Sequence, residues 1–173
     1  MERPSKLRWF INLWPPFLGS GIHVKRIDPD FRMIEVEMKL HFWNRNYVGT
    51  HYGGSLYSMT DPFYMLMLIE NLGRDYLVWD KSASIRFRSP GKGTVVAHFE
   101  LTAQQIESIR QQLQTQDKIE PMFTVQVRDE AGEMVAEVEK VVQIRRRGIP
   151  PSTPEGMGRR PAEMSQERKR KVS

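Results

Sequence analysis

The stretch Gly53-Gly54-Ser55-Leu56-Tyr57-Ser58-Met59-Thr60-Asp61-Pro62-Phe63-Tyr64-Met65-Leu66-Met67-Leu68-Ile69-Glu70-Asn71-Leu72-Gly73 decides the fold. Wound as a helix from about residue 55 to 72, its apolar side chains cover nearly the whole circumference. A helix without a polar face must be buried on all sides. Gly73 follows it, in the position that favours a left-handed residue. The chain has 173 residues, enough for one domain with a proper core but not comfortably for two. In a domain of this size, only a curved sheet folded around the helix buries it so fully.

The flanking sequence supplies that sheet. Over residues 31–42, Ile34, Val36, Met38, Leu40 and Phe42 alternate with Glu35, Glu37, Lys39 and His41, the signature of a half-buried strand. A loop rich in Asn and Gly follows, from Trp43 to Gly54. Beyond the helix, strands are expected at about 77–88 and 93–102, the second with Val95, Ala97, Phe99 and Leu101 in alternation. Residues 103–115 carry Ile106, Ile109 and Leu113 at helical spacing and read as a short helix or a long loop. A strand pair at 122–129 and 133–145 flanks Asp129-Glu130-Ala131-Gly132, a hairpin turn signal. Upstream, Ser5 is placed to cap a short amphipathic helix holding Leu7, Trp9, Phe10, Leu13 and Trp14, ended by Pro15-Pro16. Such a helix more often covers one end of a core than lies on a membrane. The fold class is therefore α+β, an antiparallel sheet around one long helix. Its expected organisation is an N-terminal helical segment (1–20), a central domain (21–147) and a disordered basic tail (148–173), since Pro, Gly, Ser and charges dominate that end.

Composition removes several functions. The chain has no cysteine, which excludes disulfides, thiolate metal sites and a cysteine nucleophile. Four scattered histidines show no paired ligand spacing, so no metal is expected. There is no phosphate-binding glycine loop and no nucleophile-elbow serine. The net charge of +5 sits at one end: Arg145 to Ser173 holds nine Lys/Arg and three Glu, which leaves a near-neutral body. That distribution does not suit a nucleic-acid reader. No signal peptide and no apolar run of ~18 residues is visible, so a cytoplasmic protein without a membrane span is expected.

The segment Asn46-Tyr47-Val48-Gly49-Thr50-His51-Tyr52-Gly53-Gly54-Ser55-Leu56-Tyr57-Ser58-Met59-Thr60-Asp61 resembles the hotdog-fold thioesterases of the phenylacetyl-CoA type. Those enzymes carry an Asn, a Gly-Gly opening the central helix, and an acid eight positions after the first of those glycines. With Pro15-Pro16-Phe17-Leu18-Gly19 upstream and Ser84-Ile85-Arg86-Phe87-Arg88-Ser89-Pro90-Gly91 downstream, the chain also looks like a family of stand-alone hotdog proteins once catalogued as a domain of unknown function. The resemblance covers about residues 5–147. It implies a hotdog fold, acyl-CoA thioester hydrolysis without a cofactor, and sites shared between paired subunits, as a homodimer or a homotetramer built as a dimer of dimers. Two positions depart from the pattern. Tyr52 replaces the family's His before Gly-Gly, with His51 one position earlier, and Met65 replaces a Ser or Thr often found one turn after the acid.

The chemistry fits these residues on independent grounds. Thioester hydrolysis needs an activated water or a carboxylate nucleophile, and donors for the developing oxyanion. Free N–H groups at a helix start supply donors, and glycine there lets a carbonyl approach closely. Gly53 and Gly54 are the expected oxyanion donors, Asp61 the base or nucleophile, and Asn46 the group that orients water or carbonyl. Asp61 sits among apolar sequence neighbours, so burial is expected. Eight helical residues span about 12 Å, too far for Asp61 to reach a carbonyl at its own helix start, because reacting atoms must lie about 3–3.5 Å apart. If both work on one thioester, they come from different protomers. His51 is a candidate substrate-binding residue, serving in place of the missing His. Plainer readings stand beside these: Asp61-Pro62 as a helix N-cap and first turn, Asn46 and His51 as loop residues. Lys81, Arg86, Arg88 and Lys92 are expected to bind the phosphates of coenzyme A, against the alternative of a solvated strand face. Tyr57, Phe63 and Tyr64 either line the acyl path or belong to the core. The rival classes are a non-catalytic acyl-CoA or lipid-binding hotdog protein, and a dehydratase using His51.

Overall fold

Seven strands form one antiparallel sheet in the computed structural model, which describes residues 3–148. They are β1 (Ile22–Ile27), β2 (Met33–Lys39), β3 (Tyr76–Phe87), β4 (Thr94–Glu100), β5 (Lys118–Ile119), β6 (Met122–Asp129) and β7 (Met134–Arg146). The order across the sheet is β1-β2-β4-β6-β7-β3, with the short β5 also on β7. The helices are α1 (Arg3–Asn12), α2 (Pro15–Ser20), α3 (Gly53–Ser58), α4 (Phe63–Leu72) and α5 (Ala103–Thr115). This is the α+β hotdog arrangement, with one face of the sheet closed over the α3–α4 segment.

Alternation explains the closure. On β2, Ile34, Val36 and Met38 are buried; on β4, Val95, Ala97 and Phe99; on β6, Phe123, Val125 and Val127. These side chains meet the central helix. The Phe63 ring lies 4.9 Å from that of Phe99 and 6.1 Å from that of Phe17, and Tyr64 stacks on Phe123 at 4.7 Å while its hydroxyl donates to the Thr124 carbonyl. Phe63 and Tyr64 are thus core residues.

The central helix runs as two segments, interrupted between Met59 and Pro62, because a proline inside a helix removes a backbone hydrogen bond and clashes with the preceding turn. Burial of α4 is strong but incomplete in the single chain: Phe63, Met67, Leu68 and Leu72 are buried, whereas Ile69 is 40% exposed. Three expectations are revised. Pro15-Pro16 do not simply end the first helix but open α2, because proline's fixed φ suits a first helical turn. In the N-terminal segment Leu7 and Ile11 pack on the core, yet Trp9, Phe10, Leu13 and Trp14 face outward. The additional strand β1 escapes periodicity because a bulge between Val24 and Arg26 breaks its alternation. Residues 103–115 are a helix, opened by a capping box between Thr102 and Gln105. Beyond Gly148, the expected tail lies outside the described residues.

Candidate functional site

The loop between β2 and α3 is built by side-chain amides. Asn44 is buried; its Nδ2 donates to the carbonyls of Ser20 and Lys39, and its Oδ1 accepts from the His41 N–H. A β-carbon on Gly21 would stand 2.6 Å from that Nδ2, and Gly21 has φ +73°, so only glycine suits the spot. Asn46 does the same one turn on. Its Nδ2 donates to Thr50 Oγ1 at 2.9 Å and to the His51 carbonyl at 3.2 Å, and its Oδ1 accepts from the N–H groups of Val48 and Thr50. Both ends of the Asn46 carboxamide therefore hold the loop.

His51 fastens this loop to the turn after β3. Its N–H donates to the Gly91 carbonyl, and its ring Nε2 lies 3.0 Å from the Gly93 carbonyl. A carbonyl only accepts, so the proton sits on Nε2. Burial pushes the His51 imidazole below its ordinary pKa, partly opposed by the Gly93 bond, and the ring is neutral at pH 7. Its Nδ1 is buried without a hydrogen-bond partner among the described residues.

Loop and turn enclose a cleft of about 650 Å³ lined by Asn46, His51, Gly53, Phe87, Arg88 and Lys92, among others. Gly53 and Gly54 open α3, so their N–H groups have no intrahelical acceptor. The Phe87 ring stands over Gly53: a β-carbon there would meet Phe87 Cζ at 2.9 Å. On Gly54 it would meet the Tyr52 ring at 2.4 Å. α3 has six residues, so the donors at its start are local N–H groups rather than the end of a long dipole.

Asp61, Tyr57, Lys81 and Arg86 are not among the cleft-lining residues. Asp61 sits in the break between α3 and α4. Its surroundings differ from the apolar shell that its sequence neighbours suggested: its side chain is 49% exposed and paired with Lys140 at 3.0 Å. Nor does it cap a helix, since Pro62 is the N-cap of α4 and no side chain bonds there. The Lys140 side chain is wholly buried. Its ammonium donates to Asp61 Oδ1, to the Asp61 carbonyl and, at 2.5 Å, to Asp80 Oδ2, which uses all three N–H groups. Burial raises the Asp80 carboxyl above its ordinary pKa, against the pull of Lys140. Tyr57 completes the group: burial, then the neighbouring Asp61 carboxylate and a hydrogen bond to it, push its hydroxyl up to about 12.

Sequence reading missed Lys140, yet a signal existed. On β7 the buried positions run Ala136, Val138, Lys140, Val142, Ile144, so a lysine falls in the apolar phase of a strand. A buried charge must be paired, and that phase asks for a carboxylate nearby.

The basic residues separate. Arg88 and Lys92 line the cleft. Arg86 bonds Glu139 at 3.0 Å and Arg88 bonds Glu137 at 3.0 Å across β3 and β7. The Arg88 guanidinium holds the Glu137 carboxyl below its usual range. Lys81 pairs with Glu120 at 2.5 Å, beside β5. Among the described residues no group of three or more His, Asp or Glu could hold a metal ion, and no helix is long and apolar enough to cross a membrane.

The model of a domain of unknown function, DUF4442, matches residues 5–144. Among solved structures, PA5026 of Pseudomonas aeruginosa, described as a protein of unknown function and probable thioesterase, is similar at 26% identity and TM-score 0.71, covering 84% of this chain and 98% of that one. The thioesterase HI1161 of Haemophilus influenzae is 12% identical, with TM-score 0.62 over 88% of this chain and 96% of its own. The PaaI protein of E. coli, from the phenylacetic acid degradation operon, is 16% identical, with TM-score 0.57 over 83% and 92%. No curated protein matches the chain.

Proposed function

The chain belongs to the DUF4442 family, and from that premise we propose that it hydrolyses an acyl-CoA thioester at a site shared between two protomers. Asp61 of one protomer acts as base or nucleophile, and the N–H groups of Gly53 and Gly54 of the other hold the oxyanion. Arg88 and Lys92 at the cleft take the phosphates of coenzyme A, and Phe87 and Leu56 flank the thioester arm. Asn46 acts by holding the loop that carries Gly53. His51, neutral and buried, fixes the cleft floor.

The observation that carries this reading is the separation of the two halves. Gly53 lines the cleft and Asp61 does not. Both lie against β3, the terminal strand of the sheet order: its Phe87 stands over Gly53 and its Asp80 shares Lys140 with Asp61. Its centre, Ser82-Ala83-Ser84, is small and exposed on both faces. A long edge strand of this kind is a template for pairing. Two β3 strands paired about a two-fold axis would continue the sheet and carry a partner's Asp61 toward this cleft. The thioesterase descriptions of PA5026 and HI1161 support the reaction class.

One observation favours a second reading, a non-catalytic acyl-CoA binder: Asp61 Oδ1 is already held by Lys140 and the Asn46 carboxamide by its loop. Subunit complementation decides. Asp61→Asn and Gly53→Val chains, each lowered ~10²-fold or more as homodimers in a free-thiol release assay, should recover up to half the activity of a two-site dimer within each exchanged heterodimer. No recovery after confirmed exchange removes the shared site. No thiol release by the parent protein from acyl-CoAs of short, medium and long chain favours the binder.

A further inference from the structure

The Lys140 cluster is built at a place where simple packing would have used a hydrophobe. Lys140 occupies the apolar phase of β7 with no exposed surface. Taking an ammonium out of water costs several kcal/mol, and buried ion pairs are often no better for stability than apolar residues of similar size. The surrounding backbone is also irregular on both sides of this group. β3 and β7 shift register between Asp80 and Ser82, leaving Lys81 as the extra residue. Before the bulge, Tyr76 and Val78 face the core; after it, Ile85 does. Asp80 shares the inward phase of Tyr76 and Val78 and sits against Lys140; the bulge reverses the phase only after it. On the helix side, α4 begins only at Phe63, with the Leu66 N–H bonded to the Pro62 carbonyl. The Asp61 carbonyl precedes this ladder, and Lys140 takes it. The break in the helix and the regular inward phase of β3 before its bulge thus bring two residues to one ammonium.

We propose that Lys140, braced by Asp80, is the positioning residue for Asp61: it clamps the aspartate by side chain and main chain together and presents the remaining carboxylate oxygen to the thioester site. This rests on the reading of Asp61 as the catalytic acid. The clamp is specific because the ammonium has no donor left. Holding both the carbonyl and Oδ1 of one residue fixes the carboxylate plane, which a pair through the side chain alone would not do. Half of the Asp61 side chain surface stays accessible, which a group serving catalysis needs and a purely structural pair does not. The Tyr57 ring, 5.8 Å from the ammonium, closes the third side of the cluster, and the Asp61 charge helps keep its hydroxyl neutral. Asp80 contributes one oxygen to the clamp; its other oxygen, Oδ1, is buried with no hydrogen-bond partner among the described residues. Its role is to balance the buried cation, so that Asp61 is not drawn inward as the sole counter-ion.

The test is a kinetic double-mutant cycle on the full-length protein. Lys140→Met keeps the side-chain length without the charge. It should lower kcat by about 10- to 100-fold, the scale of a misplaced reacting group, with KM for acyl-CoA within about two-fold, since the clamp touches no part of the coenzyme. Adding Lys140→Met to Asp61→Asn should lower kcat no further, because the lysine acts only through that carboxylate; a merely structural role would lower both backgrounds alike. Lys140→Met/Asp80→Asn removes the uncompensated carboxylate and preserves folding if the single variant is unstable. It should show the same loss of kcat. Asp61→Asn inactive with Lys140→Met and the double variant both folded and fully active would overturn the clamp alone. Additive losses in the cycle would likewise overturn it. Full activity of Asp61→Asn would overturn the catalytic reading and the clamp with it.

Discussion

Phe87 stands over Gly53, with its Cζ 2.9 Å from the point where a β-carbon would sit. The glycine is thus kept by a close approach and not by backbone conformation. Phe87 is 57% exposed and its ring end can swing, so Gly53→Ala should cost little stability, under about 1 kcal/mol. It should instead push the ring into the cleft and raise KM. Phe87→Ala in the same chain should restore part of the lost affinity. Steady-state kinetics on the two single variants and the double variant would show this, and additive defects would refute the contact as the cause.

Asp61→Asn and Asp61→Ala should both lower kcat by ~10²-fold or more, the usual loss of a general base. A helix N-cap would behave differently: Asn would be silent and Ala would cost ~1 kcal/mol. Neither variant leaves Lys140 alone, because Asp80 remains 2.5 Å away. Thermal unfolding of the two variants, measured beside kcat, separates the roles.

Arg88 lines the cleft and Arg86 does not, although both reach Glu137 on β7. Arg88→Met should raise KM for acyl-CoA several-fold with little change in kcat, since phosphate binding is shared by ground and transition states. Arg86→Met should change KM less. Equal effects would place the phosphates on the strand face instead of at the cleft.

The Tyr57 hydroxyl, held up to about 12 by burial and by Asp61, gives a pH signature. Its folded value lies above the ordinary tyrosine value of 10. The stability linked to its neutral form is therefore complete below pH ~10 and lost as pH rises toward ~12. Ultraviolet difference titration should show this tyrosine ionising late, and Asp61→Asn should shift its titration toward lower pH. A titration unmoved by Asp61→Asn would mean that the two groups do not touch.

Much of the fold was legible because it is written in local periodicities. Period-two alternation on β2, β4, β6 and β7 marks one face of each strand, and the all-round apolarity of Leu56 to Leu72 demands enclosure by them. The loop glycines and Asp61 were visible as a spacing. Where a bulge shifts the phase, as at Lys25 in β1 and Lys81 in β3, local reading loses the face of every following residue.

The sequence by itself thus determined the strand faces, the enclosed helix and the positions of Gly53 and Asp61, because those follow from side chains a few residues apart. Only the tertiary structure decided what surrounds them. Lys140 meets Asp61 across 79 positions of chain. Pairing of β3 with β7 sets that meeting, with Ala83 opposite Lys140 and Asp80 opposite the buried Val142. Likewise Asn46 could be seen as a candidate, but its carboxamide was committed by the shape of the loop, through Thr50 and His51. Charge pairing and amide bonding depend on distances of about 3 Å, and such distances are fixed by strand register and loop closure, which no local pattern carries.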